Sequence, residues 1–337
     1  MAHILTRRNL PPMANSIRSV FGTIETFRST ESNTNAYKTK TPSRRRHRHG
    51  SVRQYTLAIA REVPESFSDA LTMPSNGSSS GSKIDYSNAK REHENYLTAL
   101  RQHLPVVCLP PLDDLPDSVF VEDTVVAIGN KAVITNPGHP SRKPEVDTIR
   151  EFLENRLGME VTDMRDALPS AICDGGDVMY TGRHLFVGIS GGRTNRDALG
   201  VLQEGLGVEA IPVPFQQTKG ALHLKSITTH MDDRTLVVPD TSLGHNVFQI
   251  LADASSGAYS RSDALWLPEH AGLSCNVVSL PKQRGLLAQL VHEDDSQTRS
   301  LLLEAAAERN FSIDFVSQSE AAKCDGALTC CSVLLDL

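Results

Sequence analysis

Short apolar runs bounded by turn residues alternate along this chain with longer stretches whose apolar positions follow helical spacing. Residues 124–128 and 132–135 predict two strands joined by a tight turn, 145–157 a helix, and 160–162 a third strand. The same order returns from Asp174, about 50 residues after the first start at Thr124: strands at 178–181 and 185–189, a helix over 195–206, and a strand at 209–213. A third unit opens at Leu222, with strands expected at 223–229, 235–238 and 264–267 and only a weak helical signal between the last two. The fourth opens near Cys275, with strands at 276–280, 286–291 and 312–316 and a helix over 297–309.

The remaining pieces sit at the two ends of the body. Residues 328–335 supply one strand, while 55–60, a helix over 88–104 and a strand at 105–109 supply the rest of a fifth unit. No single strand-strand-helix-strand unit covers its own apolar surface, so the units must stack, and the last strand must close a ring against the first. A doubly wound parallel sheet is disfavoured because the glycines of Asp174-Gly175-Gly176-Asp177 are not followed by a helix. The expected fold is therefore a closed five-unit α/β ring.

Charge divides the 337 residues in two. Residues 1–50 hold ten Lys/Arg against two Asp/Glu, leaving 24 against 38 in the remainder. The basic segment, ending in Arg44-Arg45-Arg46-His47-Arg48-His49, reads as an extension outside the ring, either disordered or a mitochondrial targeting segment. Residues 51–337 read as one catalytic domain. The chain's 39% hydrophobic and 22% charged composition, without an apolar run near ~18 residues, excludes a spanning helix. Nothing in the body favours nucleic acid or a membrane as partner, and six cysteines without zinc-type spacing fit a reducing, cytoplasmic compartment.

Polar residues that are rare in strands recur where units begin: Glu122-Asp123, Asp174, His223 and Cys330. First strands of a radial repeat surround the axis, so these side chains are expected to converge on one pocket. Alternation along a strand would send adjacent Cys330 and Cys331 to opposite faces, one buried and inert, the other available as a nucleophile. A cysteine, a histidine and several carboxylates suit attack on an electrophilic, cationic carbon such as that of a guanidinium.

The segments LPDSVFVEDTVV, ITNPGHPSRKPEV, DGGDVMYTGRHLFVGIS, RTNRDA, LHLKS and CDGALTCCSVL closely resemble the dimethylarginine dimethylaminohydrolases, from about Tyr55 to the C-terminus. The resemblance implies the five-fold pseudosymmetric α/β propeller called the pentein fold, with its active site on the central channel. It implies hydrolysis of asymmetrically methylated arginines to citrulline and an amine, with an indirect effect on nitric oxide synthesis. It places the nucleophile on Cys330, the general acid/base on His223 and the histidine-orienting carboxylate on Asp174. Glu122 and Asp123 would hold the guanidinium. Asp117, Arg142 and Arg193 would meet the amino-acid end, and Leu71 and Cys324 would add backbone groups. Asp325 should join the acidic wall. The chemistry requires no metal or organic cofactor, the partner is a small-molecule substrate, and the chain is expected to be a monomer or weak homo-oligomer. Gly191 and Gly192 are expected to bulge outward and leave Arg193 in the pocket. Arginine deimination, amidino transfer and non-catalytic methylarginine binding are the alternatives.

Overall fold

The computed structural model describes residues 54–72, 83–218 and 221–337; the basic segment 1–50 and the serine-glycine stretch 76–82 lie outside the described residues. Among the described residues, five three-stranded sheets repeat one pattern, in which the first two strands pair antiparallel and the second and third pair parallel. An antiparallel pair needs only a turn, whereas a parallel pair needs a crossover, and each crossover carries a helix.

The first strand, β1 (Leu57–Arg61), is followed by the helix Tyr86–Arg101 and β2 (Val106–Leu109). The next unit has β3 (Val125–Ile128), β4 (Lys131–Ile134), the helix Val146–Phe152 and β5 (Glu160–Asp163). It is succeeded by β6 (Val178–Tyr180), β7 (Leu185–Ile189), the helix Ala198–Leu206 and β8 (Ala210–Pro214). Then come β9 (Thr229–His230), β10 (Leu236–Pro239), the helix Ser242–Ala254 and β11 (Ala264–Leu267). The unit after it holds β12 (Val278–Leu280), β13 (Gly285–Ala288), the helix Ser296–Glu308 and β14 (Ser312–Phe315). Finally β15 (Val333–Leu335) pairs antiparallel with β1, registering Leu57 on Leu335 and Ile59 on Val333. The chain's last strand thus completes the unit opened by its first.

Helix ends are fixed locally. Asp85, Thr241 and Asp295 each accept from a backbone N–H in the first turn of the helix they precede, at 2.9, 3.0 and 3.0 Å. The helix Ser242–Ala254, weakly signalled in sequence, buries Val247, Phe248 and Leu251. Gly244 depresses its propensity, yet any Cβ there would stand 2.1 Å from the carbonyl oxygen of Pro239. Close packing on β10 dictates the residue that hides the helix.

Two strand expectations are corrected. Residues 223–229 do not form one strand: Leu224–Ile227 is a short helix, and only Thr229–His230 pairs with β10. Ser226 accepts from the His223 N–H at 3.3 Å and donates its own N–H to the His223 carbonyl at 3.1 Å, which turns the chain immediately after the histidine. Residues 328–335 likewise begin not as a strand but as the tight helical turn Thr329–Cys331.

All five first strands line one axial cavity of about 130 Å³. Its walls come from residues 125–127, 178–180, 229–230, 277–279 and 332–334.

Candidate active site

At one end of the axis, the turns that lead into the first strands carry the candidate site residues. Asp123 lies in the turn Val121–Thr124 before β3, Asp174 precedes the turn Gly175–Asp177 before β6, His223 precedes the short helix before β9, and Cys330 lies in the turn before β15. Asp123, His223 and Cys330 line a second cavity of about 30 Å³ with Leu71, Asp117, Arg142, Arg193, Cys324, Asp325, Phe120, Leu222 and Gly326. Asp174 is fully buried behind His223. Convergence thus comes from turns rather than from strand faces.

His223 sits between two carboxylates. Its Nε2 donates to Oδ2 of Asp174 at 2.9 Å, and its Nδ1 lies 4.0 Å from Oδ1 of Asp123. Burial would lower the imidazolium's pKa, but Asp123, the Asp174 hydrogen bond and Asp177 outweigh it and raise the value to about 9. So raised a pKa favours the doubly protonated ring, a form suited to giving up a proton. Asp174 is itself tied down, since the Gly138 N–H donates to its Oδ1 at 2.8 Å and Arg193 Nη1 to its Oδ2 at 3.3 Å.

Asp123 is held as a carboxylate. Burial pushes its pKa up, but His223, Arg142 and the Gly176 N–H at 2.8 Å hold it well below the ordinary range. That close approach explains Gly176: a Cβ there would lie 2.7 Å from His223 Nδ1 and 2.8 Å from Asp123 Oδ1.

Arg142 does not present a free guanidinium. It donates through Nε and Nη2 to Glu145, through Nη1 to Asp123, and through Nη2 to the carbonyls of Asp117 and Phe120 at 3.3 and 3.0 Å. It is 4% exposed. Arg193 is the freer arginine, with a 15% exposed side chain. Gly191 adopts φ +80 with open space around its Cβ direction, while the Gly192–Arg193 backbone packs on Gly138. The two-glycine loop therefore bulges outward and leaves Arg193 at the cavity.

Glu122 stands apart from the other expected residues. Its Oε1 accepts from Lys225 Nζ at 2.6 Å and its Oε2 from Thr329 Oγ1 at 2.9 Å, and it lines the axial cavity, not the cavity of Cys330. Leu71 donates its N–H to both oxygens of Asp117 at 3.2 and 3.3 Å. Asp325 adopts φ 60, which turns the chain sharply after Cys324.

The two adjacent cysteines separate as expected, for a different reason. They occupy a 3-10 turn, where neighbours diverge by about 120° rather than alternating. Cys330 lines the cavity of His223 and Asp123, whereas Cys331 lines a separate small void with Val63, Phe67, Ala89 and His93. Burial, Glu122 and Asp123 push the Cys330 thiol well above its ordinary pKa. At rest it is a thiol, and a cation bound beside it would favour the thiolate.

Among the described residues, Asp123, Asp174 and His223 form a group whose donor atoms all lie within 4.8 Å of one another, as a metal site requires. Those atoms are already used: His223 Nε2 donates to Asp174, while Arg142 and Gly176 donate to Asp123. Proton transfer suits the arrangement better than metal ligation. Sequence reasoning missed Glu145, Asn276 and Lys225, which support the site from behind; only the spacing Arg142 to Glu145 on one turn offered a signal.

The fold and this constellation define a pentein, an α/β-propeller protein with a cysteine, a histidine and carboxylates at one end of its axis. Comparison with known proteins narrows the class. Residues 69–253 match the family described as N,N dimethylarginine dimethylhydrolase, eukaryotic. The N(G),N(G)-dimethylarginine dimethylaminohydrolase of Streptomyces coelicolor is 36% identical over 75% of this chain and 88% of its own. The Pseudomonas aeruginosa enzyme, solved as a cysteine-to-serine mutant complexed with citrulline, superposes with a TM-score of 0.68 at 25% identity, covering 84% of this chain and all of that one. The N-terminal domain of ArgZ, a cyanobacterial arginine dihydrolase, shares the fold with the same TM-score at 17% identity, over 84% of this chain and 98% of that one. The chain belongs to the dimethylarginine dimethylaminohydrolase family.

Proposed function

We propose that this protein hydrolyses asymmetrically methylated arginine to citrulline and the corresponding methylamine, with Cys330 as nucleophile and His223 as general acid and base. The observation that carries the reading is the placement of His223 between Asp174 and Asp123 in the cavity that Cys330 lines.

The substrate guanidinium enters beside Asp123, and its positive charge favours ionisation of Cys330, whose proton leaves to solvent and is regained after product release. The thiolate forms a C–S bond to the guanidinium carbon, giving a neutral tetrahedral adduct. His223 protonates the methylated nitrogen, the C–N bond breaks, and amine departs, leaving a cationic S-alkylthiouronium on Cys330. Neutral His223 then takes a proton from water as its oxygen attacks the same carbon. Collapse expels the Cys330 thiolate, and the protonated urea group of citrulline releases its extra proton to solvent. Asp174 fixes the ring orientation throughout, as in other nucleophile-histidine-carboxylate sets. Arg193 gives up its 3.3 Å contact with Asp174 to meet the substrate carboxylate. No resident metal or organic cofactor takes part. Removal of methylarginines would indirectly relieve inhibition of nitric oxide synthesis, and the site acts from a cytoplasmic setting.

Incubation with asymmetric dimethylarginine tests the reading. Citrulline and dimethylamine should appear in equal amounts, with little ammonia from arginine. Faster release of ammonia from arginine would assign the site to deimination instead.

A further inference from the structure

Behind the reactive cavity, four units of the ring are joined by one closed circuit of hydrogen bonds. Asn276, from the turn before β12, is fully buried. Its Nδ2 donates to the carbonyl of Lys225 at 2.9 Å and to Oγ1 of Thr329 at 3.0 Å, while its Oδ1 accepts from the N–H of Thr329 at 2.9 Å. The amide orientation is dictated by its partners, because a carbonyl can only accept and a backbone N–H can only donate. Thr329 Oγ1 passes its hydrogen to Glu122 at 2.9 Å, and Glu122 receives Lys225 Nζ at 2.6 Å, which returns the circuit to Lys225.

Three members of this circuit flank the groups that react. Thr329 precedes Cys330, Glu122 precedes Asp123, and Lys225 follows His223 by two residues. Each pair divides between the two cavities, with Thr329, Glu122 and Lys225 on the axial side and Cys330, Asp123 and His223 on the reactive side. The unit of β12 to β14 supplies no side chain to the reactive cavity, and its Asn276 stands where the other units place theirs.

We propose that Asn276, acting through Thr329, is a positioning residue that fixes the Cys330 turn relative to the His223 helix. This rests on the proposed roles of Cys330 and His223. The turn Thr329–Cys331 is three residues long and has no regular strand pairing of its own, so the Asn276 amide supplies a cross-ring restraint on its first residue. Glu122 acts here as the acceptor that holds Lys225 and Thr329, which accounts for its turning away from the cavity of Cys330. Displacing a nucleophile by about 1 Å from its acid partner can cost on the order of 100-fold in rate without changing substrate affinity.

The test compares Thr329→Val, Thr329→Ser and Asn276→Ala with the unmutated full chain, reading kcat, KM and Tm for asymmetric dimethylarginine. Valine keeps the shape of threonine but removes the hydroxyl that links Asn276 to Glu122. The expected result is a fall in kcat of about 10- to 100-fold for Thr329→Val and Asn276→Ala, with KM within about twofold and most of the rate restored in Thr329→Ser. If Asn276→Ala does not fold, the Val/Ser pair at 329 carries the comparison. Unchanged kcat in Thr329→Val, or a loss confined to KM or Tm, overturns this inference while leaving the proposed reaction intact. An unmutated protein that releases no citrulline overturns both.

Discussion

Arg142 and Glu145 form a fork-to-fork ion pair three residues apart, sealed from solvent, and the same guanidinium donates to Asp123. A cation so fully used is committed to Asp123 and Glu145 and has little donor capacity left for another anion. Truncating Arg142 to alanine strands two buried acids and should destabilise the fold by about 3–5 kcal/mol. Chemical denaturation measures this; a loss below about 1 kcal/mol would mean the pair is not sealed as described.

Arg193 should behave in the opposite way. Arg193→Ala is expected to raise KM for dimethylarginine by about tenfold or more, with little change in Tm, while a simple alkylguanidine without an α-carboxylate is turned over as by the unmutated protein. Equal weakening of both substrates would give Arg193 a structural role through its contact with Asp174.

His223 should titrate far above a free imidazole. Its folded value of about 9 lies above the unfolded value near 6.5, so its protonation stabilises the fold fully below about pH 6.5, and that contribution fades as pH rises through about 9. The rate should likewise decline above about pH 9 as the general acid is lost. Ring-nitrogen NMR of labelled histidine reads the midpoint directly, and a value at or below about 6.5 would remove the acid from the mechanism.

Asp123→Asn keeps the shape of the side chain while removing its charge. The change should lower kcat/KM by at least ~100-fold, about 3 kcal/mol, because the guanidinium and the imidazolium both lose their counter-charge. A kcat/KM within about threefold of the unmutated value would place the guanidinium elsewhere.

The ring was legible because its repeat is long and each unit keeps the same order of periods, so even a unit split between the chain's ends declared itself. The turns were not. Leu222, Leu224 and Ile227 look like part of an extended run, yet the Ser226 backbone and hydroxyl contacts wind the chain into a helix after His223. Leu328 and the residues after Cys331 are apolar enough to suggest a strand through both cysteines, and only the tertiary tie from Asn276 to Thr329 reveals the turn. The candidate cysteine, histidine and acids were recognisable as residue types out of place in strands. Their supports Glu145, Lys225 and Asn276 were not, because buried partners carry no periodicity of their own. Glu122 shows the limit of reading by adjacency: next to Asp123 in sequence, it faces the other cavity.

In the proposed reaction the guanidinium carbon becomes bonded to Cys330 during turnover. Acid quenching in the steady state, followed by peptide mass spectrometry, tests it most directly. A thiouronium adduct is expected on Cys330 of the peptide, absent in Cys330→Ser together with all citrulline release, and still formed in Cys331→Ser. Citrulline release that persists in Cys330→Ser, or an adduct found on Cys331, would contradict it.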